Sequence, residues 1–403
     1  MFSPANKPFV PALAKNAKLS LLVHGIFQLG SSLSGVFLSL YLWRLTESFR
    51  ISCMYQIVFF AMAPFGFALG GMLAKKYGVL SVYRMGIGGT VLFFLAVILA
   101  QERMLDYVYG FAWFQAVAQS FYLTGYLTLM FDVSDDSNRV RYLSLNYMTI
   151  TSVNLVGPAA AGWIITEIGG LEGYRMIFLL GFALFTVAAG LSFLFKLRPN
   201  RRKTFYAGHM AAVIRKNRPF AKSLWSFFIF SLLAGIMMFL PQLLLYAVLG
   251  QEDLVGYYTM GFALVGVLSS LTMSRYGNSV SMRTYILAGS FIFLLGASLL
   301  FGGLSNWSVL VFLCCYTVGN ALQGSALNAH YYKLINGLPL RGELRIEAIV
   351  AREPLVNLGR IVAIGAMLVF AEDMHARLFP LVLVLVSAMQ FASVWFVKSS
   401  KAE

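Results

Sequence analysis

Twelve apolar segments follow one another along this chain with only short polar breaks between them. Each is close to the roughly 20 residues that an α-helix needs to cross the hydrocarbon of a bilayer. They are read at 20–43, 52–74, 83–100, 107–131, 142–166, 174–196, 223–249, 254–274, 283–304, 307–332, 348–371 and 376–397. Only 12% of the 403 residues are charged and 59% are hydrophobic. A soluble domain carries roughly 25% charge, and a soluble enzyme could not hide this much apolar surface. Disorder is excluded by the same low charge and by 35 Phe. The fold class is therefore an all-α membrane protein, with no room left for a soluble domain. The first segment follows Lys7, Lys15 and Lys18 like a signal peptide. It exceeds the roughly 7–15 residues of such an apolar core, so it is read as an uncleaved span.

Lys and Arg orient the spans, because short cytoplasmic loops collect them. With the N-terminus inside, cytoplasmic segments hold 25 of the 31 basic residues and external loops hold 5, with Arg360 inside span 11. Both termini are thus expected in the cytoplasm. The net charge of +15 reads as inner-leaflet bias, with no nucleic acid as partner. Tyr41, Trp43, Trp307 and Trp395 stand at span ends, as interfacial aromatics do. The loop 197–222 is rich in Lys and Arg, and no acid occurs from Gly173 to Gln251. In it Tyr206, Met210, Val213 and Ile214 recur at helical spacing. They predict either an amphipathic helix on the anionic leaflet or a solvated basic linker. Cys53, Cys314 and Cys315 all lie in apolar segments and suggest neither disulfide nor metal site. No motif for a catalytic nucleophile, nucleotide or cofactor occurs, so an enzyme is not expected.

The halves repeat. Lys75-Lys76-Tyr77-Gly78, with Arg84 six residues after the Gly, matches Ser274-Arg275-Tyr276-Gly277 with Arg283 six residues after its Gly. Val153-Asn154-Leu155, with Gly162, matches Val356-Asn357-Leu358, with Gly365. Matched spans share orientation, which implies a parallel repeat of six helices. The domains are read as 1–196, a basic linker 197–222, and 223–403.

Gly71-Met72-Leu73-Ala74-Lys75-Lys76-Tyr77-Gly78 resembles the G-x-L-x-D-R-x-G loop of the major facilitator superfamily, with Lys75 where the family usually has Asp. Gly157-Pro158-Ala159-Ala160-Ala161-Gly162 is similar to the Gly-Pro signature of its proton-driven antiporters, although Ala161 replaces a glycine. The family's intramembrane Arg of span 4 is absent. The resemblance implies two six-helix bundles, alternating access, and a cavity approached by all spans except 3, 6, 9 and 12. It also places the loop after span 2 beside the start of span 11. Lys75 or Lys76 is then expected to pair with Glu353 in a cytoplasmic gate that includes Gly78, Arg84, Asp132 and Arg141.

Polar groups inside spans are unfavourable and face a partner or a cavity. Gln28, Gln115, Gln119, Asn154, Asn320, Gln323 and Asn357 are such groups, and spans 3, 6, 8 and 9 have no amide, His or charge apart from Lys or Arg at their ends. Gln390 of span 12 is the exception. His24, Gln28, Ser31 and Gly35 step by helical intervals along one face, as do Gln115, Gln119, Tyr122 and Tyr126. The two faces are expected to line a water-filled path. The ordinary pKa of an imidazole lies near neutrality, so His24 is a candidate proton carrier; His330 is a weaker one. Arg360 is deep in span 11, where an Arg disfavours insertion by roughly 2.5–3.5 kcal/mol, and is expected to attract an anionic or polar substrate group. Glu353, just before Pro354, is expected at a helix start. The leading function is a secondary transporter of a small or amphipathic molecule in a bacterial cytoplasmic membrane, with proton-coupled efflux as its finer form. A lipid flippase and a non-transporting receptor are the alternatives. A monomer in contact with lipid is expected, without cofactor or metal.

Overall fold

The computed structural model describes residues 13–134, 138–195, 205–276, 281–338, 344–370 and 378–397. Among these it is helical throughout, with no strand. The first half carries α1 (Lys15–Thr46), α2 (Phe49–Tyr77), α3 (Val79–Ala100), α4 (Val108–Asp132), α5 (Arg139–Ile168) and α6 (Gly170–Ser192). The linker contributes α7 (Ala207–Lys216). The second half carries α8 (Arg218–Ile236), α9 (Leu240–Leu249), α10 (Glu252–Tyr276), α11 (Met282–Ser298), α12 (Asn306–Asn336), α13 (Arg345–Phe370), α14 (Phe379–Met389) and α15 (Ser393–Phe396).

Eleven stretches are long and apolar enough to span a bilayer, and one of them, Val79–Met130, runs for 52 residues. At 1.5 Å per residue such a run exceeds twice the roughly 30 Å of hydrocarbon. It holds α3 and α4, joined by a short 3-10 turn at Gln101–Tyr107. The two lie antiparallel and very close. A Cβ on Gly125 would sit 2.6 Å from the Tyr83 backbone, and one on Gly86 would meet the backbone of Tyr122. The chain therefore crosses twelve times, in the two-bundle arrangement expected.

Local chemistry sets the ends. Ser48 caps α2, Ser281 caps α11, and Ser305 with Ser308 forms a capping box on α12. Gly78, at φ +94°, lets α3 start one residue after α2 stops.

The repeat acquires a structural meaning at its arginines. Arg84 donates from Nε and Nη2 to the Ser192 carbonyl at the end of α6, at 3.3 and 3.0 Å. Arg283 donates from Nε to the Val397 carbonyl beyond α15, at 2.9 Å. Each Arg ties the third span of its half to the end of the sixth. Arg84 is thus a helix-end tie.

The halves meet mainly through two helix pairs, α2 with α13 and α5 with α10. Each pair is the repeat-equivalent of the other, as a parallel duplication requires.

Three expectations change. Span 7 is broken: Met237–Phe239 is non-helical between α8 and α9, with Pro241 in the first turn of α9. The amphipathic linker helix forms, but Met210, Val213 and Ile214 pack on the second half's own core, so protein covers that face. Tyr41 is buried against Tyr174 and Phe178, while Trp307 and Trp395 are exposed as interfacial residues.

Candidate functional site

A cavity of about 590 Å³ lies in the first bundle and reaches the break in span 7. Both faces read from the sequence line it. His24, Gln28, Ser31 and Gly35 come from α1, and Gln115, Gln119, Tyr122 and Tyr126 from α4. Asn154 of α5, Gln56 of α2 and Gln242 of span 7 complete its polar rim, with Met238 beside them. Tyr55 donates to Gln115 Oε1 at 2.6 Å, which fixes that carboxamide. Among the described residues, no Asp, Glu, Lys or Arg lines the cavity.

An aromatic stack forms one wall. His24 and Tyr126 stack with centroids 3.7 Å apart and planes within 9°, and Phe27 and Tyr122 at 3.6 Å and 16°. His24 Nδ1 and the Tyr122 hydroxyl share a hydrogen bond of 2.5 Å. The other ring nitrogen, Nε2, is buried with no partner, and so is Gln242 Oε1.

Five candidates lie elsewhere. Gln323 is fully buried and donates to Gln390 Oε1 at 3.5 Å, while Gln390 donates to the Ile229 carbonyl at 2.9 Å. This pair joins α12 to spans 12 and 7, which accounts for the exceptional Gln390. Asn320 is half-buried and outside the cavity lining. Glu353, Asn357 and Arg360 form a chain along α13. Arg352 Nη2 meets Glu353 Oε1 at 2.9 Å, Asn357 Nδ2 donates to Glu353 Oε2 at 3.4 Å, and Arg360 Nη1 donates to Asn357 Oδ1 at 3.2 Å. The Arg360 guanidinium lies 4.9 Å from the centre of the Phe60 ring, across the bundle interface on α2. Its backbone presses on Gly235, where a Cβ would come within 2.6 Å of the Arg360 Cα. Glu353 is not at a helix start: α13 begins at Arg345 and carries Pro354 internally. A neighbouring Arg and Asn compensate its buried charge.

The expected Lys75–Glu353 pair does not form. Lys75 Nζ meets Glu347 Oε1 at 3.1 Å, with side chains 7% and 0% exposed. The same oxygen accepts the Tyr206 backbone N–H at 3.1 Å. Glu347 lies nearly two turns before Glu353, and the early start of α13 brings it to the end of α2. Lys76 lies over the ring of its exposed neighbour Tyr77. Asp132 and Arg141 are exposed at the same end, and Asp135 and Asp136 lie outside the described residues.

At the opposite end a second ion pair joins the halves. Arg44 Nε of α1 lies 3.4 Å from Glu252 Oε1 of α10, and the Tyr174 hydroxyl donates to the same oxygen at 3.4 Å. Below it the Gly-Pro stretch of α5 is in backbone contact with α10: a Cβ on Gly162 would come within 2.5 Å of the Glu252 carbonyl, and one on Gly256 would meet the Pro158 carbonyl. Arg44, Glu252 and Glu347 carry no signal in helical spacing, because they stand at helix ends. Gln242 is legible in the sequence as the amide inside span 7, beside Pro241.

The family model described as Major Facilitator Superfamily matches residues 20–338. The uncharacterized protein YqgE of Bacillus subtilis (strain 168) is 26% identical over 344 residues, 85% of this chain and 80% of that protein. The crystal structure of a D-xylose-proton symporter superposes with a TM-score of 0.73 at 12% identity, covering 96% of this chain and 98% of the other. That of the nucleoside transporter NupG, in a mutant form, gives 0.68 at 14%, covering 94% and 98%.

Proposed function

The chain belongs to the major facilitator superfamily, and from that membership we propose that it is a secondary transporter working by alternating access in a bacterial cytoplasmic membrane. One observation supports this above the others. A polar cavity is held between two inter-bundle contacts, Lys75–Glu347 at one end and Arg44–Glu252 at the other. Releasing one contact while keeping the other exposes the cavity to one side only. The end bearing Lys75 also bears most of the Lys and Arg, so it is assigned to the cytoplasm and both termini with it. The division into bundles on either side of the 197–222 linker follows the same assignment.

The gate residues of this reading are Lys75 and Glu347, in place of Lys75 and Glu353. The solute site is the cavity of His24, Gln28, Gln115, Gln119 and Asn154. Arg360 acts as a contact between bundles that changes as they rock. If transport is proton-coupled, His24, the imidazole of the described lining, takes the proton only when the cavity opens to water, since the closed lining supplies no counter-ion. The lateral flippase alternative loses ground, because the cavity carries many amides and hydroxyls.

The test is solute movement by the purified protein in proteoliposomes, with and without an imposed pH gradient. Counterflow of a preloaded solute supports transport. Binding of that solute without any exchange supports a receptor instead.

A further inference from the structure

We propose that the cavity takes an uncharged, ring-bearing solute rich in hydroxyl or amide groups. The proposal rests on the transporter reading and specifies its substrate class.

The lining is neutral but densely polar. Gln28, Gln56, Gln115, Gln119, Asn154 and Gln242 supply carboxamides, each with donors and an acceptor. A charged solute would leave its hydration shell and meet no counter-ion there, which is strongly unfavourable. The charges nearby are already engaged: Glu353 by Arg352 and Asn357, Arg360 by Asn357 and Phe60, and Lys75 by Glu347. A solute whose hydroxyls and amides exchange water for carboxamides has no such penalty.

Three buried atoms of the described lining lack a partner, and they come from both halves: His24 Nε2 from α1, the Tyr126 hydroxyl from α4 and Gln242 Oε1 from α9. Buried polar atoms of this kind are satisfied by a ligand or water. A hydroxyl both donates and accepts, so it suits His24 in either tautomer and Gln242 alike. One solute touching both would bridge the halves, as a translocated molecule must.

The wall adds shape. The rings of Tyr122 and Tyr126 are parallel within 2°, continuing the His24 and Phe27 stacks. A flat or ring-shaped solute finds a platform there. The volume of about 590 Å³ lies within the roughly 300–1,000 Å³ of small-molecule sites.

The experiment uses the full chain in nanodiscs and titrates matched pairs: uridine and adenosine against their 5′-monophosphates, and methyl glucoside against glucose 6-phosphate. At least one neutral member should bind, with its phosphorylated partner at least 100-fold weaker. Gln119→Leu and Gln242→Leu should each weaken that neutral ligand at least tenfold while melting within a few degrees of the parent. The inference is overturned if a phosphorylated member binds as tightly, if no neutral member binds, or if both variants keep full affinity. Proteoliposomes separate this from the premise. Movement of a charged solute sinks the neutral site and leaves transport standing, whereas binding of a neutral solute with no movement of any solute sinks the transport reading and leaves the site's chemistry standing.

Discussion

Lys75 of α2 and Glu347 of α13 form a 3.1 Å ion pair between the two bundles, with both side chains almost wholly removed from solvent. Such a pair is expensive to break one-sidedly, at about 3–5 kcal/mol, because a buried charge is left uncompensated. In the proposed transport cycle it is the latch on the closed state. Glu347→Gln should open that end. The check is alkylation of a Cys at Ser31, inside the cavity, by a reagent supplied from the Lys75 side; the rate should rise by well over tenfold. Lys75→Glu should behave alike, and Lys75→Glu with Glu347→Lys should return part of the protection. Unchanged labelling in both single variants would dismiss the latch.

The contact at the other end should be much weaker. Arg44 is 36% exposed and Glu252 15%, and such surface pairs contribute about 0–1 kcal/mol. A double-mutant cycle with Arg44→Ala and Glu252→Gln, read as accessibility of the Ser31 position from that side, should give a coupling within about that range. It should shrink further in high salt.

In the proposed cycle, backbone contact more than charge closes that second end. Gly162 and Gly256 stand where α5 and α10 touch with no room for a Cβ. Gly162→Leu should hold this end open, raise labelling from that side and stop exchange, while substrate binding persists. A leucine variant that transports at the parent rate contradicts this packing role.

Arg360 should govern turnover more than affinity. It packs on Phe60 across the interface and on Gly235 within its own half, and it is absent from the cavity lining. Arg360→Ala should insert into the membrane and lower kcat with little change in KM. Gln119→Leu should raise KM instead. The comparison is initial-rate transport in proteoliposomes, beside melting temperatures. A large rise in KM for Arg360→Ala would restore it to the solute site.

Orientation has a direct check. In a chain lacking Cys53, Cys314 and Cys315, Glu172→Cys should react with an impermeant maleimide added to intact cells. Lys76→Cys should react only after permeabilisation. The reverse pattern would invert the map drawn from the basic residues.

The sequence by itself determined the number of crossings, the duplication and several residues of the cavity lining. Apolar length is a local property that solvent exclusion reads directly. Helical spacing is equally local, which is why the intervals between His24 and Gln28 and between Gln115 and Gln119 suffice to place all four on lining faces. Tertiary structure alone decided which polar residue meets which. Gln323 and Asn154 are both amides within spans, yet one bonds Gln390 between helices and the other lines the cavity. Lys75 found Glu347, not Glu353, because α13 starts nearly two turns ahead of Glu353 and Pro354 is carried inside it. Arg360 gained Asn357 and Phe60 because its face of α13 packs on Gly235 and α2. These choices depend on helix rotation and helix-end position, which follow from the packing of distant segments, and a span's own residues do not encode them.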